Sequence, residues 1–264
     1  MYKLGAVGLA VILAAWTPAS SAAQQTIDWD WNGRVDRGDA IEIKGINGEI
    51  VAEAGSGNEV RVTARLRGRD DDDPREIEMV VLEHDKGVTI CAVYPSKDED
   101  RPNECQPGGR GRTSIKEHYS VSVEFHVSVP AGVNFIGRNI NGDVDARGIE
   151  ADVFANTVNG SVDIYADGLA EASTVNGSIT VSMGKADWDG TLDFTTVNGS
   201  VTLEMPDELD CDVSLSTVNG QMNIDFPLMV EGRFSPRNIK GTIGAGGRTL
   251  VVKTVNGSIQ IRRS

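Results

Sequence analysis

The sequence predicts an all-β protein: a single-stranded parallel β-solenoid preceded by an N-terminal strand-rich region. Three observations carry that prediction. An Ile/Val-Asn-Gly tripeptide recurs along the chain, and apolar residues fall at fixed offsets around each copy. Glycine is abundant and rings are few, with 30 Gly against six Phe, four Tyr and four Trp in 264 residues. A narrow stacked core takes Val, Ile and Ala more readily than rings, and short repeats mark coils too small to bury an apolar face alone.

The first element is an address. Leu4–Trp16 is uncharged and follows Lys3, Thr17-Pro18 breaks the run, and Ser21-Ala22-Ala23 offers the small residues a signal peptidase requires. Residues 1–23 therefore read as a secretory signal peptide cleaved near Ala23/Gln24. The run falls short of the ~20 apolar residues that span a bilayer, and no later stretch approaches that length. The mature chain is expected to have no transmembrane segment and to lie in the periplasm, at the cell surface or outside the cell. Export permits disulfides. Cys91 and Cys105 bracket a polar loop and form the favoured pair, against a reading of three free thiols; Cys211 is left over either way.

Residues 24–134 form the strand-rich region. Glu59 to Leu66 alternates apolar and polar, and Ile77–Leu82 with Val88–Val93 reads as a hairpin. Tyr119 to Val129 puts Val121, Val123, Phe125, Val127 and Val129 on one face. The Asp70–Asp73 and Gly108–Arg112 runs read as solvated loops, and the acidic one lacks the spaced oxygens of a calcium loop.

Residues 135–264 carry the repeats, at Asn141, Asn159, Asn176, Asn198, Asn219 and Asn256, with Lys240-Gly241 in the same role. An earlier copy at Asn47 would start the coils near residue 40, leaving 55–134 as an excursion. Asn-Gly is also a hairpin signal, but a two-residue turn would set Val197 against Ser200 and Thr196 against Val201, mixing both faces. An extended path resolves the pattern: Val197, Gly199, Val201 and Leu203 inward, Thr196, Asn198, Ser200 and Thr202 outward. Apolar residues six before each Asn (Phe135, Val153, Leu192) complete the coil, and the change from even to odd offset puts a corner just before Thr-Val-Asn-Gly. Parallel coils stack at ~4.8 Å, so seven consecutive coils would make a rod roughly 30 Å long. Right-handed winding is the default for parallel crossovers.

Each repeated residue type then has an expected role. Gly160, Gly177, Gly199, Gly220 and Gly257 point inward at a crowded corner or adopt φ > 0. The asparagines hydrogen-bond their copies in the next coil. Thr157, Thr174, Thr196, Thr217 and Thr254 form an outward ladder beside Ser161, Ser178, Ser200 and Ser258. That ladder is either a hydroxyl surface for a glycan or, preferably, a product of strand propensity that stabilises the stack.

Chemistry is sparse. A net charge of −14 argues against nucleic acid, whose phosphates need clustered Lys and Arg. His118, Glu124 and His126 share a strand face, but the two His lie ~26 Å apart when extended and cannot share one ion. Asp145 and Asp163 occupy equivalent places on adjacent coils, ~5 Å apart. That suits a calcium site or a retaining carboxylate pair, yet later coils carry Thr180 and Thr202 there. There is no phosphate loop, nucleophile elbow or zinc cluster. The sequence thus predicts no catalytic residue, no cofactor and no metal.

The leader, Gly45-Ile46-Asn47-Gly48, Val127-Ser128-Val129-Pro130-Ala131-Gly132 and the Thr-Val-Asn-Gly-Ser copies together resemble the bacterial putative-adhesin domain family, over roughly residues 40–264. The chain is similar too to head domains with Gly-Ile-Asn motifs and, more distantly, to the toast-rack domains of envelope-stress proteins. The resemblance implies an exported, non-enzymatic envelope protein, an adhesin or surface binding module whose partner is an unknown glycan or envelope protein. An accessory role in envelope-stress signalling and a carbohydrate-active solenoid enzyme are the alternatives. The family has no agreed catalytic residues to carry over. Finally, Ile261-Arg262-Arg263-Ser264 ends the last coil without a cap, so an open parallel edge is expected there, guarded by its arginines or paired in a homo-oligomer.

Overall fold

The computed structural model describes residues 25–69, 72–98, 100–109, 113–116, 119–230 and 235–264. The expected leader, His118 and parts of the Asp70–Asp73 and Gly108–Arg112 runs lie outside these. The fold is nearly all β, as the repeats predict. The N-terminal region supplies β1 (Thr26–Gly33), β2 (Ala40–Lys44), β3 (Ile50–Gly55), β4 (Val60–Arg67), the antiparallel hairpin β5 (Glu78–His84) and β6 (Gly87–Val93), and β7 (Ser122–Pro130). Paired strands follow: β8 (Asn134–Arg138) with β9 (Val144–Ile149), β10 (Val153–Asn156) with β11 (Val162–Ala166), and β12 (Ala170–Ser173) with β13 (Ile179–Met183). Next come β14 (Thr191–Thr195) with β15 (Val201–Met205) and β16 (Cys211–Ser216) with β17 (Met222–Ile224). Strands β18 (Leu228–Val230) and β19 (Asn238–Ile243) precede the last pair, β20 (Thr249–Lys253) and β21 (Ile259–Arg263).

Each pair gives one strand to each of two sheets that enclose a single apolar core. The first sheet runs β1-β4-β7-β3-β9-β11-β13-β15-β21-β17, and the second β18-β19-β16-β20-β14-β12-β10-β8-β2-β6-β5. Strands β2 and β3 form a coil of the same kind, pairing in parallel with β8 and β9. The chain between β3 and β8 folds into a further coil on its far side, with β6 parallel to β2 and β7 parallel to β3. Antiparallel β5 ends the second sheet there, and β4 and β1 end the first. The period-two alternation of β7 buries Val123, Phe125, Val127 and Val129 in this core.

At the other end spatial order departs from chain order. The pair β20/β21 inserts between β14/β15 and β16/β17. This corrects two expectations. The coils are not consecutive, and the C-terminal strand is no open edge for a homo-oligomer, because β21 is hydrogen-bonded on both sides. The physical reason is that a parallel edge accepts any coil of matching shape, and the segment from 225 to 248 is long enough to bring a later one back. Lys240-Gly241 is likewise no coil corner: it lies inside β19, which runs antiparallel to β16 and, with β18, ends the second sheet. Lys240 has no side-chain amide to enter an asparagine ladder.

The corner itself is phased differently from the sequence reading. Thr157, Thr174, Thr196, Thr217 and Thr254 point inward, 1–4% exposed, while Val158, Val175, Val197, Val218 and Val255 point out at 37–49%. The turn therefore falls within Val-Asn-Gly-Ser rather than before the threonine. Each threonine hydroxyl donates to a glycine carbonyl of the neighbouring coil at 2.8–2.9 Å, so a buried polar group is satisfied where an apolar one would leave that carbonyl orphaned. The glycines approach one another across the stack. A Cβ added to Gly160, Gly177, Gly199, Gly257 or Gly220 would fall 1.8–2.2 Å from the carbonyl oxygen of the preceding glycine. Of this series only Gly48 (φ +114°) and Gly142 (φ +143°) need the left-handed region. Inter-coil contact is what excludes side chains from the other positions.

Candidate functional site

Outside the core, the repeats make a continuous corner ridge. Asparagine side chains form one unbroken ladder in the order 47, 141, 159, 176, 198, 256, 219, each Nδ2 from Asn141 onward donating to the Oδ1 of the asparagine before it at 2.7–2.8 Å. The exposed valines run beside it, and Ser161, Ser178, Ser200 and Ser258 accept from backbone amides of the adjoining coils at 3.1–3.3 Å. Nothing in the ridge titrates. It offers fixed amides and methyl groups at one-coil spacing; the threonine ladder stabilises the stack, as preferred from the sequence, but from the inside rather than from the outer face.

On the outer face of the first sheet, Asp145 and Asp163 are register neighbours. Burial raises the Asp145 carboxyl, Arg147 opposes that, and Asp163, Asp143 and Glu49 add to it. Arg147 pairs with Asp145 at 3.4 Å, and the next strands offer Thr180 and Thr202. Glu124 is engaged by Arg67 at 2.8 Å, and His126 faces Val51 and Thr63 in register. Among the described residues no three His, Cys, Asp or Glu gather to hold a metal.

The second sheet carries two features that sequence reasoning missed. The first is a buried polar cluster centred on Glu42, 3% exposed. Its carboxylate accepts from Thr89 Oγ1 at 2.8 Å, the Gly108 amide at 2.9 Å and Arg138 Nε at 2.7 Å. Burial alone would raise this carboxyl; those donors outweigh it and hold it below the usual glutamate range. Lys44 donates to the carbonyls of Gln106 and Gly108, and Cys91, its register neighbour, is joined to Cys105 by a disulfide. Cys211 is buried and free, its thiol pushed up to about 12 by desolvation. The cluster and the disulfide pin the loop after β6 to the solenoid.

The second feature is a groove of about 350 Å³ across β8, β10, β12 and β14, lined by Ile136, Phe154, Leu169, Glu171, Trp188 and Thr191 among others. Trp188 is anchored by its Nε1 donating to the Thr249 carbonyl at 3.2 Å, while Arg248 Nε donates to the Trp188 carbonyl at 3.1 Å. The Arg138 guanidinium sits 4.5 Å over the Phe154 ring. Burial raises the Glu171 carboxyl and Asp193 adds to it. The available signal was Phe154 itself, a large ring at an outward offset in a chain poor in rings.

Residues 135–262 match the family model described as Toastrack DUF4097. None of the curated proteins matches the chain. Among solved structures, a putative cell adhesion protein from Clostridium sporogenes ATCC 15579 aligns over 91% of this chain and 100% of its own, at 11% identity and TM-score 0.45. A putative adhesin from Bacteroides fragilis NCTC 9343 aligns over 92% and 98%, at 10% identity and TM-score 0.28. Another from Parabacteroides distasonis ATCC 8503 aligns over 91% and 97%, at 10% and 0.25. The toastrack match covers the coils from β8 onward. Among the described residues no helix is long and apolar enough to cross a membrane.

Proposed function

We propose that this is an exported, non-enzymatic protein of the bacterial envelope, a surface binding module whose partner is a glycan or another envelope component. The observation that carries the reading is the unbroken asparagine ladder, which ties seven coils together and holds their outer faces as fixed arrays of side chains. Such a frame suits recognition of an extended partner, since preorganised surfaces lose little entropy on binding. The leader-like residues 1–23 support export, and the toastrack match supports the envelope setting. Fractionation of native cells with a glycan-array screen tests both halves. The expected result is a processed chain in the envelope or medium that retains defined glycans. An unprocessed cytoplasmic chain, or one that degrades the glycans it meets, overturns the reading.

The toastrack match also favours a second role, as an accessory protein of envelope-stress signalling. Deleting the gene should then alter the stress response while leaving attachment unchanged. An enzymatic role would instead require glycan-degrading activity that falls when Asp145 and Asp163 are changed to Asn.

A further inference from the structure

The groove on the second sheet crosses four strands, about three strand spacings or ~14 Å from end to end. Every strand beneath it is hydrogen-bonded on both sides: β8 to β2 and β10, β12 to β10 and β14, and β14 also to β20. No sheet edge is available. A peptide laid here would find no ladder for its amides, and burying them unpaired is unfavourable. An occupant must be held by apolar contact with Ile136, Phe154 and Leu169 and by side chains.

Charge selects among such occupants. Each cation near the groove is committed to a carboxylate: Arg138 to Glu42 at 2.7 Å, Lys185 to Asp152 at 3.6 Å, and Arg248 to Asp187. Glu171, Asp189 and Asp193 have no salt-bridge partner among the described residues. Glu171 is half-buried; burial and Asp193 close by work against its ionisation, and Arg138, already paired with Glu42, offsets part of that. The groove is therefore apolar at its floor and short of positive charge, in a protein of net charge −14. Acidic sugars would be repelled, and neutral ones would gain nothing from the surplus of carboxylates at Glu171, Asp189 and Asp193.

We propose that this groove binds a short oligosaccharide of amino sugars with free amines. The apolar C–H faces of the sugars rest on Ile136, Phe154 and Leu169, and an ammonium group pairs with Glu171 in the field of Asp193. The inference rests on the glycan-binding reading above and names its site and ligand class.

Calorimetric titration of the exported protein with a glucosamine tetramer, the fully N-acetylated tetramer and tetralysine tests it. The free-amine sugar should bind, and either N-acetylation or Glu171→Gln should weaken binding about tenfold or more, the scale of a charge-assisted hydrogen bond. Asp145→Asn, on the opposite sheet, should leave binding unchanged. Equal affinity for the acetylated sugar overturns the proposal, as does full affinity in a folded Glu171→Gln variant. Tighter binding of tetralysine overturns it in favour of a peptide groove. If Glu171→Gln fails to fold, the comparison of the two sugars on the unaltered protein decides. Array hits that ignore free amines sink this proposal alone, whereas a protein that retains no glycan at all removes the broader reading with it.

Discussion

Two stretches of the solenoid use the same coil and order it differently. From Asn134 to Met205 each coil stacks on the one before it in the chain. Beyond Met205 the chain lays down β16/β17, turns back through β18 and β19, and slips β20/β21 into the space left beside β14/β15. The unit is equal in both stretches. Thr196 and Thr254 each reach a glycine carbonyl, at 2.9 and 2.8 Å, and Asn198 and Asn256 are partners in one ladder. The connections differ, and not by length alone: the short segment 206–210 leads into a coil one place removed from β14/β15, and the longer 225–248, with β18 and β19, brings β20/β21 back into the gap. The motif specifies the shape of a coil but not its place in the stack.

The strongest way to break this comparison is to remove residues 246–264. Strand β15 and the β16/β17 coil would then lose their shared neighbour. Hydrogen exchange should show protection lost across 206–230 and kept across 134–183. Persistent protection at 211–224 would contradict the insertion. Next in size are Gly177→Ala in the chain-ordered stretch and Gly257→Ala in the inserted coil. Each new Cβ would meet a backbone carbonyl oxygen at 1.9 Å. Denaturant unfolding should show both destabilised by roughly 4 kcal/mol or more, the exceptional end for single substitutions. A mild effect at 257 alone would mean that the inserted coil packs more loosely. Thr196→Val and Thr254→Val should each cost about 1–3 kcal/mol, because a buried carbonyl loses its donor. Thr→Ser at either position should recover much of that.

A pH effect should single out the opposite end of the rod. Glu42 is held below the ordinary 4.5 by its donors, so the folded state binds this proton less readily than the unfolded one. Its stabilisation is then complete above about pH 4.5 and is lost as pH falls through the lowered value. Thermal unfolding at descending pH should show a steeper loss in the wild type than in Glu42→Gln. The smallest effect is expected for Val197→Thr, within about 0.5 kcal/mol because the side chain is exposed. A large loss there would restore the inward valine of the sequence reading.

Period-two burial made the strands legible. Phe135, Val153 and Leu192 before the motif, and Val144, Val162 and Val201 after it, are all buried as the offsets require. The threonine–valine phase was not legible, because a polar-against-apolar rule cannot see a hydroxyl whose acceptor lies in another coil. A subtler sign existed. Asn139 holds the threonine's place in its coil and donates to the Gly48 carbonyl at 2.6 Å, so that position keeps a small donor even where threonine is absent. Lys240 misled because its flanking apolar residues fit the template while the ladder-forming amide was missing. The groove was out of reach for another reason: Trp188 lies in a connection between β13 and β14, where the repeat has no register to read.

The inserted coil also has a consequence for timing. Strands β16 and β17 leave the ribosome before β20 and β21, yet their parallel neighbours in the rod are those later strands. A nascent chain stopped anywhere before Thr249 thus has a slot in its stack with nothing to fill it, and a coil beyond the slot with no parallel partner. Domains generally gain structure as they are synthesised. Here β20 and β21 act as a keystone, so the rod closes only once those late strands have been made.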